Sequence, residues 1–89
     1  MKTVYKYTEA LNDVVTFDLP AGAEILRVDS QYSNTVCLWA LVDPGMLNHA
    51  GRYIRIAGTG HLVSSERCKY INTFFMLDGR LVFHAFELL

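Results

Sequence analysis

Apolar and polar residues alternate along most of this chain with a period of two. In one segment the apolar residues Val15, Phe17 and Leu19 fall on one face of an extended chain, and more polar residues fall on the other. This period is typical of a half-buried β-strand. The segments with this alternation are 3–7, 13–19 and 51–57.

Two further segments are apolar at consecutive positions. In 23–32 the neighbours Ile25 and Leu26 are both apolar, so either both faces of that strand are covered or a β-bulge shifts its register. Residues 35–42 are apolar on both faces, which predicts a central strand covered on both sides. A buried helix gives a similar run, but its short length and turn-forming ends favour a strand.

The C-terminal part contains the clearest local signal, an Asp78-Gly79 pair between the apolar runs 70–77 and 80–88. Such a pair predicts a β-hairpin with a type I′ turn, and this turn sets the register of the two strands. Both faces of the hairpin are largely apolar, so either the hairpin lies in the middle of a two-layer protein or one of its faces contacts another subunit. The predicted pairs are Leu77 with Arg80, Met76 with Leu81, Phe75 with Val82, Phe74 with Phe83, Thr73 with His84 and Ile71 with Phe86.

These segments predict a single all-β domain over residues 1–89. Six or seven strands without a long helix or an internal repeat indicate a compact sandwich or a partly open barrel with a C-terminal Asp-Gly hairpin. The alternative is an α+β fold with one short helix at 44–50 or 62–69.

Composition narrows the class of protein. The chain has 89 residues, 52% of them hydrophobic, and a formal net charge of -1. The high hydrophobic fraction and low net charge exclude a disordered chain, and the lack of a basic excess argues against a binder of nucleic-acid polymers. The sequence also contains no apolar run long enough for a transmembrane helix. A domain this small cannot bury all of these apolar side chains, so some of them must lie on its surface. They are either scattered singly or form a surface that contacts further copies of the chain, and we favour the contact surface.

The two cysteines predict no disulfide and no metal site. Cys37 lies within an apolar run and Cys68 within a polar one, and neither has a second Cys or His at metal-ligand spacing. The N-terminal residues lack the apolar stretch of a signal peptide. We therefore expect free thiols in a reducing cytoplasm.

Candidate ligand-binding residues concentrate in segment 52–61. Its glycines allow close approach of the backbone and an anion-binding concavity of N–H groups, arginine suits phosphate, and tyrosine can stack on a base. The alternative is a strand-ending turn beside two solvated arginines, with Trp39 in the core and His84 hydrogen-bonded to Thr73. The candidates are Arg52, Tyr53, Arg55, Gly58, Thr59, Gly60 and His61, with Trp39 and His84 as additional ones.

The serines, glycines and histidines of the sequence form no recognised catalytic motif. No serine lies in a G-x-S-x-G turn, no P-loop is present, and no paired histidine motif for zinc occurs. We therefore expect a protein that is not an enzyme and needs no cofactor. Hydrolysis of a nucleotide signal is the minor alternative.

Five stretches, spread along the whole chain, are distinctive together. They are MKTVYKY at 1–7, LPAGAEILRV at 19–28, CLWALVDP at 37–44, AGTGH at 57–61 and LVFHAFEL at 81–88. In this order they resemble one family of short phage and prophage proteins, known as a domain of unknown function. The resemblance implies a viral accessory protein made in the host bacterial cytoplasm.

The size and context of that family suggest a function by analogy. We expect a homo-oligomer that binds and sequesters a small nucleotide-derived immune signal of the host, such as a cyclic nucleotide or an ADP-ribose-like molecule. The alternative is a protein–protein inhibitor or a virion-associated interaction module that uses an exposed apolar sheet face.

Overall fold

A computed structural model describes residues 1–64 and 67–89, and in these ranges the chain forms seven strands and no helix. The all-β prediction is confirmed, and residues 44–50 form no helix. Part of the other segment considered for a helix, residues 65 and 66, lies outside the described residues. The strands are β1 (Thr3–Ala10), β2 (Val14–Pro20), β3 (Glu24–Asp29), β4 (Thr35–Val42), β5 (His49–Gly58), β6 (Cys68–Met76) and β7 (Leu81–Leu88).

The strands form two antiparallel sheets that pack face to face. One sheet has three strands in the order β1-β4-β3, and the other has four in the order β2-β5-β7-β6. The molecule measures 40 × 30 × 17 Å, and the short dimension corresponds to two sheets about 10 Å apart with their outer side chains. The fold is therefore a sandwich rather than a closed barrel.

The facing sides of the two sheets make the core. The alternation in β2 buries Val15, Phe17 and Leu19, as predicted. β4 is central in its sheet, also as predicted, but it is not fully covered on both sides, because Trp39 and Leu41 on its outer face are only half-buried. A two-layer sandwich covers only one face of each sheet, so this part of the prediction was wrong.

Two β-bulges shift the register of the strands. The bulge in β3 lies between Ile25 and Arg27 and leaves Leu26 exposed, so the bulge is the correct alternative for this segment. A second bulge, in β6 between Tyr70 and Asn72, was not predicted.

The β6–β7 hairpin has the predicted pairs from Met76–Leu81 to Thr73–His84. The second bulge replaces the predicted Ile71–Phe86 pair with Tyr70–Phe86. Leu77 and Arg80 do not form a ladder pair, because they belong to the turn, which the Arg80 N–H closes by donating to the Leu77 carbonyl at 3.1 Å. Asp78 and Gly79 have the positive φ of a type I′ turn, and Leu77 has a φ of 52° as well.

One side chain joins the neighbouring edges of the two sheets. Asn72 of β6 accepts a hydrogen bond from the Val28 N–H at 2.8 Å and donates one to the Val28 carbonyl at 2.7 Å. The amide thus pairs with the edge of β3 as a neighbouring strand would. We call this pair of hydrogen bonds the Asn72 clasp.

Candidate functional site

The glycine-rich segment after β5 forms a tight turn over residues 58–61. The His61 N–H donates to the Gly58 carbonyl at 2.9 Å, and Gly60 has a φ of 91° that favours glycine. The His61 imidazole folds back and accepts a hydrogen bond from the Gly58 N–H at 3.1 Å. A Cβ at position 58 would lie 3.0 Å from that ring, so a larger residue here would push the imidazole away by a few tenths of an ångström.

The backbone N–H groups of this turn are mostly engaged within the protein. Besides the two N–H groups above, the Thr59 N–H donates to the Val82 carbonyl at 3.2 Å. Three of the four amides are therefore bonded internally, and they do not form the predicted concavity of free N–H groups. Side chains, rather than the backbone, are the polar groups that this turn offers a ligand.

Beside the turn lies a cavity of about 390 Å³, which we call the turn cavity. Its volume is within the range of small-molecule sites. Three lining residues come from the predicted set, whereas Arg80 and β7 were missed, since only the pairing of β7 with β5 brings Phe83 opposite Gly58. The lining residues are Gly58, Thr59, His61, Arg80, Leu81, Val82 and Phe83.

Arg80 supplies the positive charge at this cavity. Within the described parts of the chain its guanidinium forms no ion pair. Phe83 contributes an apolar wall, and its ring stacks on the buried Phe74 ring with 5.8 Å between centroids. The cavity thus combines a fixed aromatic surface with a cationic group.

Arg55 holds the backbone near the turn rather than presenting a free cation. Its guanidinium donates to the carbonyls of Ile56 at 2.7 Å, Leu62 at 3.1 Å and Asp13 at 3.3 Å. Only 19% of the side chain is exposed. These bonds tie the segment after the turn to the β1–β2 connection, so Arg55 positions the turn and does not line the cavity.

Arg52 lies on the opposite face of β5, between the two sheets. It forms a hydrogen-bonded ion pair with Glu87 and donates to the Ala23 carbonyl at 2.9 Å. The hydrogen bond to Glu87, helped by the charge of that carboxylate, raises the pKa of Arg52 although burial opposes the shift. Arg52 is therefore a bridge between sheets and is not brought to the turn cavity.

His84 joins the turn to the outer face of the four-stranded sheet. Its Nε2 lies 2.9 Å from Thr59 Oγ1, and its Nδ1 lies 2.9 Å from Thr73 Oγ1, which is the cross-strand hydrogen bond considered above. The Tyr70 hydroxyl continues the chain at 2.7 Å from Thr73 Oγ1. His84 thus fixes the Thr59 hydroxyl at the cavity.

The two remaining candidates do not line the turn cavity. Tyr53 is exposed on the outer face of the four-stranded sheet, between Thr16 and Leu88. Trp39 belongs to the three-stranded sheet and is half-buried on its outer face, between Lys6 and Arg27.

Neither a metal-binding cluster nor a membrane-spanning helix accompanies this site in the described residues. Over residues 1–64 and 67–89, no group of three or more His, Cys, Asp and Glu side chains could hold a metal ion. In the same residues no helix has the length and apolar character to cross a membrane. Cys37 and Cys68 are free thiols, and Cys37 is buried.

Comparison with known proteins identifies the family of this chain. A family model described as "Domain of unknown function (DUF7352)" matches residues 1–89, so the chain belongs to this family. The expectation of a domain family of unknown function is confirmed. Comparisons with curated proteins and with solved structures find no match.

Proposed function

We propose that this member of the family is a non-catalytic protein that binds a small nucleotide-like molecule in the turn cavity. The observation that carries the proposal is one cavity of about 390 Å³ that combines Arg80, the His61 ring and an apolar wall from β7. A pocket that is mostly apolar, with a few placed polar groups, is the usual form of a small-molecule site.

Each wall suits a different part of such a ligand. The Arg80 guanidinium can hold a phosphate through two parallel hydrogen bonds. The Phe83 ring and the Leu81 side chain offer an apolar surface to a base, and the Thr59 hydroxyl and His61 imidazole offer hydrogen bonds to a ribose. A phosphate ester of a nucleoside uses all three features at once.

The wider proposal concerns the biological role. A phage accessory protein with this site would sequester a cyclic nucleotide or an ADP-ribose-like immune signal of the host as a homo-oligomer. Support for self-association comes from large apolar side chains exposed on one sheet face, since such patches mark contact surfaces. The exposed side chains on that outer face include Tyr53, Tyr70 and Phe75.

Isothermal titration tests the ligand class directly. The wild-type protein is titrated with a panel of cyclic mono- and dinucleotides, ADP-ribose and cyclic ADP-ribose. We expect binding to at least one member and a loss of roughly 10- to 100-fold in affinity for Arg80→Ala, since a hydrogen bond to a charged group contributes about 1.5–3 kcal/mol. Arg80→Lys should recover only part of this loss, because lysine lacks the planar fork.

A matched control is Arg27→Ala, which removes an exposed arginine from the other sheet. This variant should bind as the wild type does. The absence of binding to every panel member, or equal affinities for wild type and Arg80→Ala, would contradict the proposal. Mass spectrometry of the ligand released by heat separates sequestration from hydrolysis, since a sequestered ligand is recovered intact.

A further inference from the structure

β6 is an edge strand, and the rest of the fold covers only part of its outer edge. Among the strands of residues 1–64 and 67–89 it pairs with β7 alone, and the Asn72 clasp ties its middle to β3. Beyond the clasp a cavity of about 540 Å³ separates β6 from the β3–β4 connection. We call this cavity, lined by residues 30–33 and 75–79, the edge cleft.

The backbone of Phe75 faces this cleft. In an antiparallel ladder the N–H and C=O groups of successive residues point to alternate sides. The Thr59 N–H donates to the Val82 carbonyl, and this bond makes the neighbouring Gly58–Phe83 pair a non-hydrogen-bonded pair of the β5–β7 ladder. The N–H and C=O of Phe83 therefore point away from β5 and toward its partner Phe74 on β6. The neighbours of Phe74 on β6 must then direct their N–H and C=O groups to the open edge.

A second contact supports this orientation independently. The Asn72 amide also approaches the Thr73 carbonyl at 3.4 Å, from the side of β3. Thr73 therefore faces the open edge, and by alternation Phe75 does too. One backbone donor and one acceptor thus face the edge cleft.

This edge lacks the usual protection against pairing. Exposed edges commonly carry a charge or a proline, but residues 73–77 contain neither. Large apolar side chains surround the cleft instead, with Tyr32, Phe75 and Leu77 each at least 60% exposed. Leu77 also has a φ of 52°, and such strain in a bulky residue occurs preferentially at ligand-binding segments.

The opposite wall of the cleft is fixed by its own hydrogen bonds. The Tyr32 carbonyl accepts hydrogen bonds from the Thr35 N–H, the Thr35 hydroxyl and the Ser30 hydroxyl. Gln31 is held from β1, where Lys6 Nζ donates to its side chain at 2.8 Å. The cleft is therefore preformed, and an occupant would not have to order this wall.

We propose that the edge cleft binds an extended peptide segment of a partner protein by strand addition to β6. The backbone of one peptide residue pairs with Phe75, and its neighbours place apolar side chains against Tyr32 and Leu77. Among the described residues that line the cleft Asp78 alone is charged, so it favours a lysine or arginine near one end of the segment.

A second copy of this chain fits the cleft poorly. In a two-fold pairing, β6 of each copy would have to enter the cleft of the other. Each β6 already has its own residues 30–33 beside the same edge. A separate extended segment has no such obstruction, so we assign the cleft to a peptide and not to self-association.

The test begins with selection of a random dodecapeptide display library on the wild-type protein. We expect enriched peptides with alternating apolar residues and a basic residue near one end. In an N-methyl scan of one such peptide, binding should fall about tenfold or more at one position, that of the residue whose N–H donates to the Phe75 carbonyl, and little at its neighbours. A single sensitive backbone amide is the signature of one peptide residue paired with Phe75.

Variants of the protein test whether the peptide binds at the edge cleft. Phe75→Pro removes the outward N–H and is tolerated on edge strands, whereas Phe75→Val keeps the N–H. We expect the proline variant to bind about tenfold more weakly than the valine variant, and Arg80→Ala to bind as the wild type does. If Phe75→Pro does not fold, the N-methyl scan and the amide shifts of Phe75 and residues 31–33 in two-dimensional NMR remain decisive.

Several results would overturn this assignment. These are a selection that enriches no peptide, an N-methyl scan with no sensitive position, and NMR shifts confined to residues 58–61. A wild-type dimer in light scattering that Phe75→Pro converts to a monomer, while Phe75→Val leaves it a dimer, would show that a second copy occupies the cleft. Loss of nucleotide binding, by contrast, would leave the peptide site unaffected, since the two cavities have separate linings.

Discussion

The Asn72 clasp should contribute a large part of the stability of the sandwich. Asn72→Ala removes both hydrogen bonds to Val28, whose side chain and backbone are fully buried, and leaves one N–H and one C=O without their partner. An unsatisfied buried group costs about 1–3 kcal/mol, so two give about 2–6 kcal/mol. Asn72 itself is half-buried, and access of water favours the lower half of that range, about 3 kcal/mol.

Urea unfolding followed by the fluorescence of Trp39, the only tryptophan, measures this loss. We expect a lower midpoint with an unchanged m-value, because the variant should alter stability and not the surface exposed on unfolding. A loss of about 3 kcal/mol corresponds to a Tm lower by roughly 12–24 °C for a domain of this size. Lys69→Ala, on an exposed residue of the same strand, is the control and should change little.

Asn72→Asp sharpens the test through its pH dependence. The carboxylate keeps the acceptor for the Val28 N–H but faces the Val28 carbonyl with a negative charge instead of a donor. The protonated acid restores the donor, so folding should raise the pKa of the introduced carboxyl above about 3.9. The stability supplied by the protonated form is present below that pH and is lost as pH rises through the folded-state pKa.

The free energy of unfolding of this variant, relative to wild type at each pH, should therefore improve from about pH 7 to about pH 3. A deficit that does not vary with pH, or a change below about 0.5 kcal/mol for Asn72→Ala, would refute the assigned role of the clasp.

Three further predictions concern other parts of the fold. Glu87→Gln should lower the free energy of unfolding by about 2 kcal/mol in urea titrations, because it leaves the partly buried Arg52 without its negative partner. Burial is the main cause that raises the pKa of the Tyr7 phenol above its ordinary value of 10.0. The neutral phenol therefore contributes stability below pH 10.0, and this contribution is lost as pH rises through the folded-state pKa. Tyr7→Phe should therefore lose less stability than wild type above about pH 10 in alkaline melts. Leu77→Asn should raise the free energy of unfolding by about 0.5–1 kcal/mol, because asparagine tolerates the positive φ of this exposed position. An unchanged or lower free energy of unfolding would show that the backbone of Leu77 is not strained.

The strands could be predicted from the sequence because their signals are local. Alternation identifies the face of β2 that carries Phe17, and Asp78-Gly79 sets the hairpin register over the four pairs nearest the turn. The bulge at Ile71 could not be predicted, since it depends on Asn72 reaching a strand of the other sheet. Which strands pair across long stretches of chain is likewise a tertiary property that no local pattern contains.

The candidate site was predicted only in part, and its residues show why. Thr59 and His61 lie at the turn cavity because the glycine turn is a local feature. Arg52 lies two residues before the buried Ile54, so both side chains are on the same face of β5. This alternation was the available signal that Arg52 points into the sandwich. Arg80 was missed because its place beside the turn follows only from the pairing of β7 with β5.

The order of the strands has a consequence for how the chain reaches its native state. Among the described ladders, only β3–β4 and β6–β7 join strands that are neighbours in the sequence. The other three must close long loops before their contacts form, and such topologies refold in milliseconds to seconds. During that interval the two hairpins can form first, and the middle of the β6 edge is then exposed, in addition to the part at Phe75, until β3 docks against it and the Asn72 hydrogen bonds form.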